Sequence, residues 1–93
     1  MTRYTVELAT SDESRLAILA QVRHRICALE FHAHGVCKQI GTAHQFRLHP
    51  KDGKNVLACT VEVDQASWEM LWADMQDGAS FYVDNLFVIG PLP

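Results

Sequence analysis

The stretch Ala79-Ser80-Phe81-Tyr82-Val83-Asp84-Asn85-Leu86-Phe87-Val88-Ile89 decides how many elements the chain has, and with that number the fold it can form. It is aromatic and β-branched and runs into Gly90-Pro91, so it reads as one last strand. Before it, Trp68, Leu71, Trp72 and Met75 fall at i, i+3, i+4 and i+7, the spacing of one buried helical face. Asp64 is the expected N-cap of this second helix, and Gly78 its C-terminal stop. Further back, Leu57, Cys59, Val61 and Val63 alternate with Val56, Ala58, Thr60 and Glu62, a strand with one face in the core.

The same patterns recur toward the N-terminus. Pro50-Lys51-Asp52-Gly53-Lys54 carries strong turn chemistry. His44 to His49 alternates as a short strand or strand extension, whereas Gly35 to Ala43, with two glycines and mixed polarity, reads as a loop. Cys27, Leu29, Phe31 and Ala33 share one face of a strand, and Ala28, Glu30, His32 and His34 share the other. Leu16, Ile18, Leu19 and Val22 stripe a first helix over Asp12 to His24, opened by a Thr10–Glu13 capping box or by Ser11. Tyr4, Val6 and Leu8 mark the first strand.

The resulting order is β, α, β, β, α, β. The simplest way to bury two helical stripes is on one face of one sheet. That predicts an α+β, ferredoxin-like βαββαβ sandwich: an antiparallel sheet, two helices on one face with Trp68 and Trp72 beneath them, and strands one and three central. Residues 1–93 are expected to form a single domain, since a chain this short buries only ~60% of its unfolded surface and supports one thin core.

Composition narrows the function. A hydrophobic share of 48% beside 20% charged residues excludes a disordered chain, and no apolar run is long enough to span a membrane. The N-terminus lacks the pattern of an export signal, and three irregularly spaced cysteines suit reduced thiols, so a cytoplasmic setting is expected. All Lys and Arg lie at or before Lys54, while Glu62, Asp64, Glu69, Asp74, Asp77 and Asp84 follow without a base. A nucleic-acid reader needs cations and is not expected; a protein partner is.

With these elements in place, the chain resembles the ACT-type regulatory domains, above all the small regulatory subunits of acetohydroxyacid (acetolactate) synthase. The likeness covers Tyr4 to Val88. It rests on Tyr4-Thr5-Val6-Glu7-Leu8, on Leu16 through Arg23-His24-Arg25, and on Val61-Glu62-Val63-Asp64 through Trp68, Leu71, Trp72 and Met75 to Val83. The resemblance implies a regulatory module that pairs with itself through sheet edges or an open sheet face and controls a partner enzyme. It also implies a small amino-acid effector at Ser11, Asp12, Glu13 and Ser14, where family members carry Asn, Pro and Gly.

Other candidates come from the residues themselves. His32 and His34 project from one strand face, Glu30 precedes them, and Cys37 follows three residues on, a set that suits zinc or nickel, with His44 or His49 as a further ligand. The plain alternative is a polar sheet face. Metal-sensing ACT-like domains of nickel-responsive regulators are similar in this His-X-His strand followed by Cys. No nucleophile with a positioned base and oxyanion donors is recognisable, so catalysis is not expected, nor any cofactor besides such a metal. An adaptor or inhibitor, such as small phage-encoded proteins that block a host complex, would use the acids Glu69, Asp74 and Asp77 as its contact.

Overall fold

The computed structural model describes residues 1–75 and 78–93. Its elements are β1 (Thr2–Leu8), α1 (Arg15–Val22), β2 (Cys27–Ala33), β3 (Val36–Lys51), β4 (Lys54–Val63), α2 (Gln65–Ala73), β5 (Ser80–Val83) and β6 (Leu86–Pro91). The strands form a closed antiparallel barrel in the order β1-β4-β3-β2-β5-β6, with β6 returning to β1. The expected ferredoxin-like sandwich, and the ACT-like architecture with it, is therefore incorrect. A closed barrel has neither the open sheet face nor the free edges through which such a sandwich would pair with itself.

Two turns explain the difference. Asp84 and Asn85 both adopt positive φ, 49° and 65°, as do His34 and Gly35, at 51° and 75°. Two successive left-handed residues make the tight hairpin turn whose twist matches that of its strands. The first turn splits the expected last strand into β5 and β6, and β6 pairs Val88 with Leu8 and Gly90 with Glu7 to close the barrel. The second turns the expected Gly35–Ala43 loop into the start of a long strand. The Asp52-Gly53 turn, φ 51° and 79°, is where the turn chemistry put it.

The long strand must also bend. Its 16 residues would reach ~50 Å at ~3.3 Å each, against a longest molecular dimension of 31 Å. Two bulges supply the curvature. One inserts Ile40 between the pairs Leu29–Gly41 and Glu30–Gln39; the other lies between His44 and Arg47, where Gln45 has φ 55°.

The barrel consists of two βαββ halves, β1-α1-β2-β3 and β4-α2-β5-β6. Exchanging them maps the β3–β4 pairing onto β6–β1 and β2–β3 onto β5–β6. Thr2 lies opposite Val63, so α1, which follows Leu8, and α2, which follows Val63, sit at opposite ends of the barrel. Each closes an end with apolar side chains, Leu19 and Val22 from α1 and Trp68 from α2. Between them the strands bury Val6, Leu8, Leu29, Leu57, Cys59, Val61, Val63, Phe81, Val83 and Val88. Trp68 lies within 5.1–5.5 Å of the Tyr4, Trp72 and Phe81 rings. Burying a side chain of this size contributes on the order of 3 kcal/mol.

Helix ends differ modestly from expectation. Asp64 caps α2 as the sequence indicates, accepting from the Ser67 backbone N–H at 3.0 Å. The helix ends at Ala73, before Gly78. For α1, which is shorter than Asp12–His24, the N-cap residue is Ser14, whose side chain makes no capping bond.

Gly41 marks the tightest point of the wall. A Cβ there would lie 2.3 Å from the Glu62 carbonyl oxygen on the neighbouring strand. Gly41→Ala is expected to destabilise the barrel by about 3 kcal/mol, the upper end of overpacking costs, whereas Gly90→Ala, with nothing within 4 Å of its Cβ, should change little. Denaturant unfolding of both variants measures this, and equal midpoints would contradict the packing described.

Candidate functional site

The β2–β3 hairpin has two working faces. Its His34-Gly35 turn sets a register in which His32 lies opposite Cys37 and Ala33 opposite Val36. Glu30 and His32, two apart on β2, point outward together. The Cys37 thiol donates to Glu30 Oε2 at 3.3 Å, its Sγ lies 3.4 Å from His32 Nε2, and His32 Nε2 lies 3.6 Å from Glu30 Oε1. The Tyr82 ring, on neighbouring β5, packs 4.6 Å from the His32 ring. Bonding to the Glu30 carboxylate, with partial burial and that negative charge, pushes the Cys37 thiol pKa up.

Of the expected metal ligands, the structure brings together His32 and Cys37, with Glu30 as the third member. His34 stands in the turn and is not part of the group. His44 bonds Glu62 at 3.0 Å instead, and His49 pairs opposite Val56 on β4.

Phe31, next to His32 in sequence, faces the other way and with Leu71 of α2 forms the floor of a groove. On one side Ile40 and Met70 line a cavity of about 320 Å³; on the other, Asp74 and Ala79 line a second of about 250 Å³. Phe31 and Leu71 belong to both, so the depression is continuous along the helix. Met70 is 57% exposed. Of the expected contact acids, Asp74, the C-cap of α2, is exposed and lines the groove. Glu69 is exposed on α2 but lines neither cavity, accepting instead from Gln65 at 3.0 Å on the side of Tyr4, and Asp77 lies outside the described residues. Sequence reasoning found these acids but missed the groove, because Phe31 and Ile40 approach α2 only once Gly35–Ala43 is a strand.

The segment before α1 offers less room. The Ser11 and Ser14 hydroxyls bond each other at 2.6 Å, and Asp12 meets Arg15 at 3.5 Å. The void beside Asp12 is about 60 Å³. Glu13 is exposed next to them. An amino-acid carboxylate arriving here would meet two acids and a serine pair already bonded to itself.

A polar stripe outside β1, β3 and β4 was not foreseen. Arg47 lies across the bulge and donates to Gln45 O, Thr60 Oγ1 and Thr5 Oγ1 at 2.8–3.1 Å, while Glu62 accepts from Arg3 at 3.0 Å. The bond to His44 holds the Glu62 pKa below the usual carboxylate range, helped by Arg3. A lowered folded-state pKa means that the unfolded chain binds more protons, so this stabilisation is present above the ordinary carboxylate pKa and lost as pH falls through the folded one. Glu62→Gln should accordingly flatten the loss of stability between neutral pH and about pH 3. Urea unfolding across that range tests it, and an unchanged acid slope would argue against the pairing.

The class so defined is a closed six-stranded antiparallel barrel with a helix at each end, an apolar groove along one helix and a Glu-His-Cys group on one wall. No protein-family model, no curated protein and no solved structure matches this chain. Among the described residues, no helix is long and apolar enough to cross a membrane.

Proposed function

We propose that this barrel is a non-catalytic module that acts by binding a partner protein, in the manner of a stand-alone inhibitor or adaptor. The groove between α2 and the β2–β3 hairpin takes an apolar segment of that partner, with cationic side chains beside it. One observation carries this reading: a continuous apolar floor, Phe31 and Leu71 with exposed Met70, with Asp74 on its helix side in a half of the chain that holds no Lys or Arg. Apolar anchors confer binding energy, and complementary charge at the rim fixes partner choice and encounter rate. Lys38 on the hairpin side confines the acidic character to the helix side, which gives the bound segment a direction.

Thiol chemistry supports the non-catalytic part. A reactive cysteine has a lowered pKa, yet Cys27, Cys37 and Cys59 are all raised, and burial pushes Cys59 to about 12. Closure of the barrel also favours a separate protein partner over self-pairing at sheet edges.

A photo-crosslinking residue placed at Met70, in the native cell, should trap a basic, apolar segment of one protein. The same residue at Leu16, exposed at the opposite end, should not trap it. Asp74→Lys should abolish the product while circular dichroism shows the barrel intact. Identical products from both positions, or a product that survives charge reversal, would remove this reading.

A further inference from the structure

We infer that Glu30, His32 and Cys37 form a zinc site on the outer wall of the barrel. The spacing of the donors makes the case. Zinc holds sulfur at about 2.3 Å, and imidazole nitrogen or carboxylate oxygen at about 2.0–2.2 Å, in a tetrahedron whose ligand-to-ligand edges are then about 3.4–3.6 Å. Here Cys37 Sγ lies 3.4 Å from His32 Nε2 and 3.3 Å from Glu30 Oε2, Nε2 lies 3.6 Å from the other carboxylate oxygen, Oε1, and one donor atom from each residue falls within 4.8 Å of the other two. The three side chains thus already converge to near the separations an ion between them requires, and a turn of the Glu30 carboxylate brings one of its oxygens to face both the sulfur and the imidazole.

This preorganisation has a local cause. The two-residue His34-Gly35 turn fixes His32 opposite Cys37, and the Ile40 bulge lies beyond Glu30, so the strand pair is regular across the three ligands. Tyr82 packs on the His32 ring and restricts its rotation. Thiolate, imidazole and carboxylate together form a donor set suited to zinc, and three protein ligands leave the fourth position to water.

The protons balance simply. Zinc needs Cys37 as thiolate and His32 neutral with its Nε2 lone pair free, so entry of the ion breaks the thiol's S–H bond and releases that proton to solvent. The hydrogen bond that Cys37 donates to Glu30 is lost, and both groups turn to the metal. One proton released means that affinity falls about tenfold for each unit of pH below the thiol pKa.

Tag-free protein, stripped by chelator under reducing conditions, should take up one equivalent of zinc in competition with a chromophoric chelator. With cobalt in place of zinc, it should show a thiolate-to-metal charge-transfer band and the visible bands of a tetrahedral ion. Cys37→Ser should abolish the charge-transfer band and weaken zinc binding at least about tenfold, and His32→Ala should weaken it similarly. His34→Asn, which removes an imidazole outside the group but keeps a residue that tolerates the left-handed turn, should leave affinity unaltered. Failure of the wild-type protein to bind cobalt or zinc at stoichiometric concentration would overturn the assignment. So would zinc binding that Cys37→Ser leaves unchanged, or a loss on His34→Asn equal to that on Cys37→Ser. None of these readouts involves the α2 groove, so they stand or fall independently of partner binding.

Discussion

The antiparallel contact of β6 with β1 is the constraint on which the molecule depends. Without it the six strands would be an open sheet whose two outer strands, β1 and β6, carried unpaired backbone groups, and a two-layer solution would again be available. With it, every strand has two neighbours and the core lies inside a tube. Both helices must then act as plugs, because the wall offers them no second layer to join. The long curved strand, its bulges and the bare backbone at Gly41 all follow from having to wrap a wall around a core this narrow.

Much of the local structure was legible in the residues. The strands β1, β2 and β4, the Asp64 cap, the Asp52-Gly53 turn and Trp68 on the buried face of α2 are present as expected, since each depends on neighbours close in sequence, although in β4 Ala58 and Thr60 are buried as well as the alternating core residues. Topology was not, and the failure lies in two dipeptides. Asn and Asp tolerate the left-handed region, but Asp84-Asn85 lies inside an aromatic, β-branched run that looks continuous. His34-Gly35 was hidden by the opposite effect, because the polar sequence that follows resembles a loop although it forms the outward side of a strand. Pattern reports how a segment is shaped; which strand it joins is decided by contacts far along the chain, such as Val88 with Leu8.

The site was legible to a similar depth. Period-two alternation placed Glu30 and His32 on one face, and Cys37 was recognised as their neighbour. His34 was assigned to that face by the same alternation, which stops at the turn. Once the hairpin closes there, Cys37 rather than His34 stands across from His32. The two faces of this hairpin carry different tasks: polar donors outside, and Phe31 as part of the groove floor on the other. Stiffening the outer face would thus hold one wall of the groove, since both are the same few residues of backbone.

The exchange symmetry of the two βαββ halves has a bearing on how the chain holds together. Neither half is a barrel, because each lacks the neighbours that the other supplies along β1–β4 and β2–β5 as well as along β3–β4 and β6–β1. Both nevertheless have the same element order, joined only by the two-residue Asp52-Gly53 link. Severed at that link, the pieces would retain complementary surfaces and every reason to reassociate. A closed wall of this kind is in effect an assembly of two half-shells written as one polypeptide.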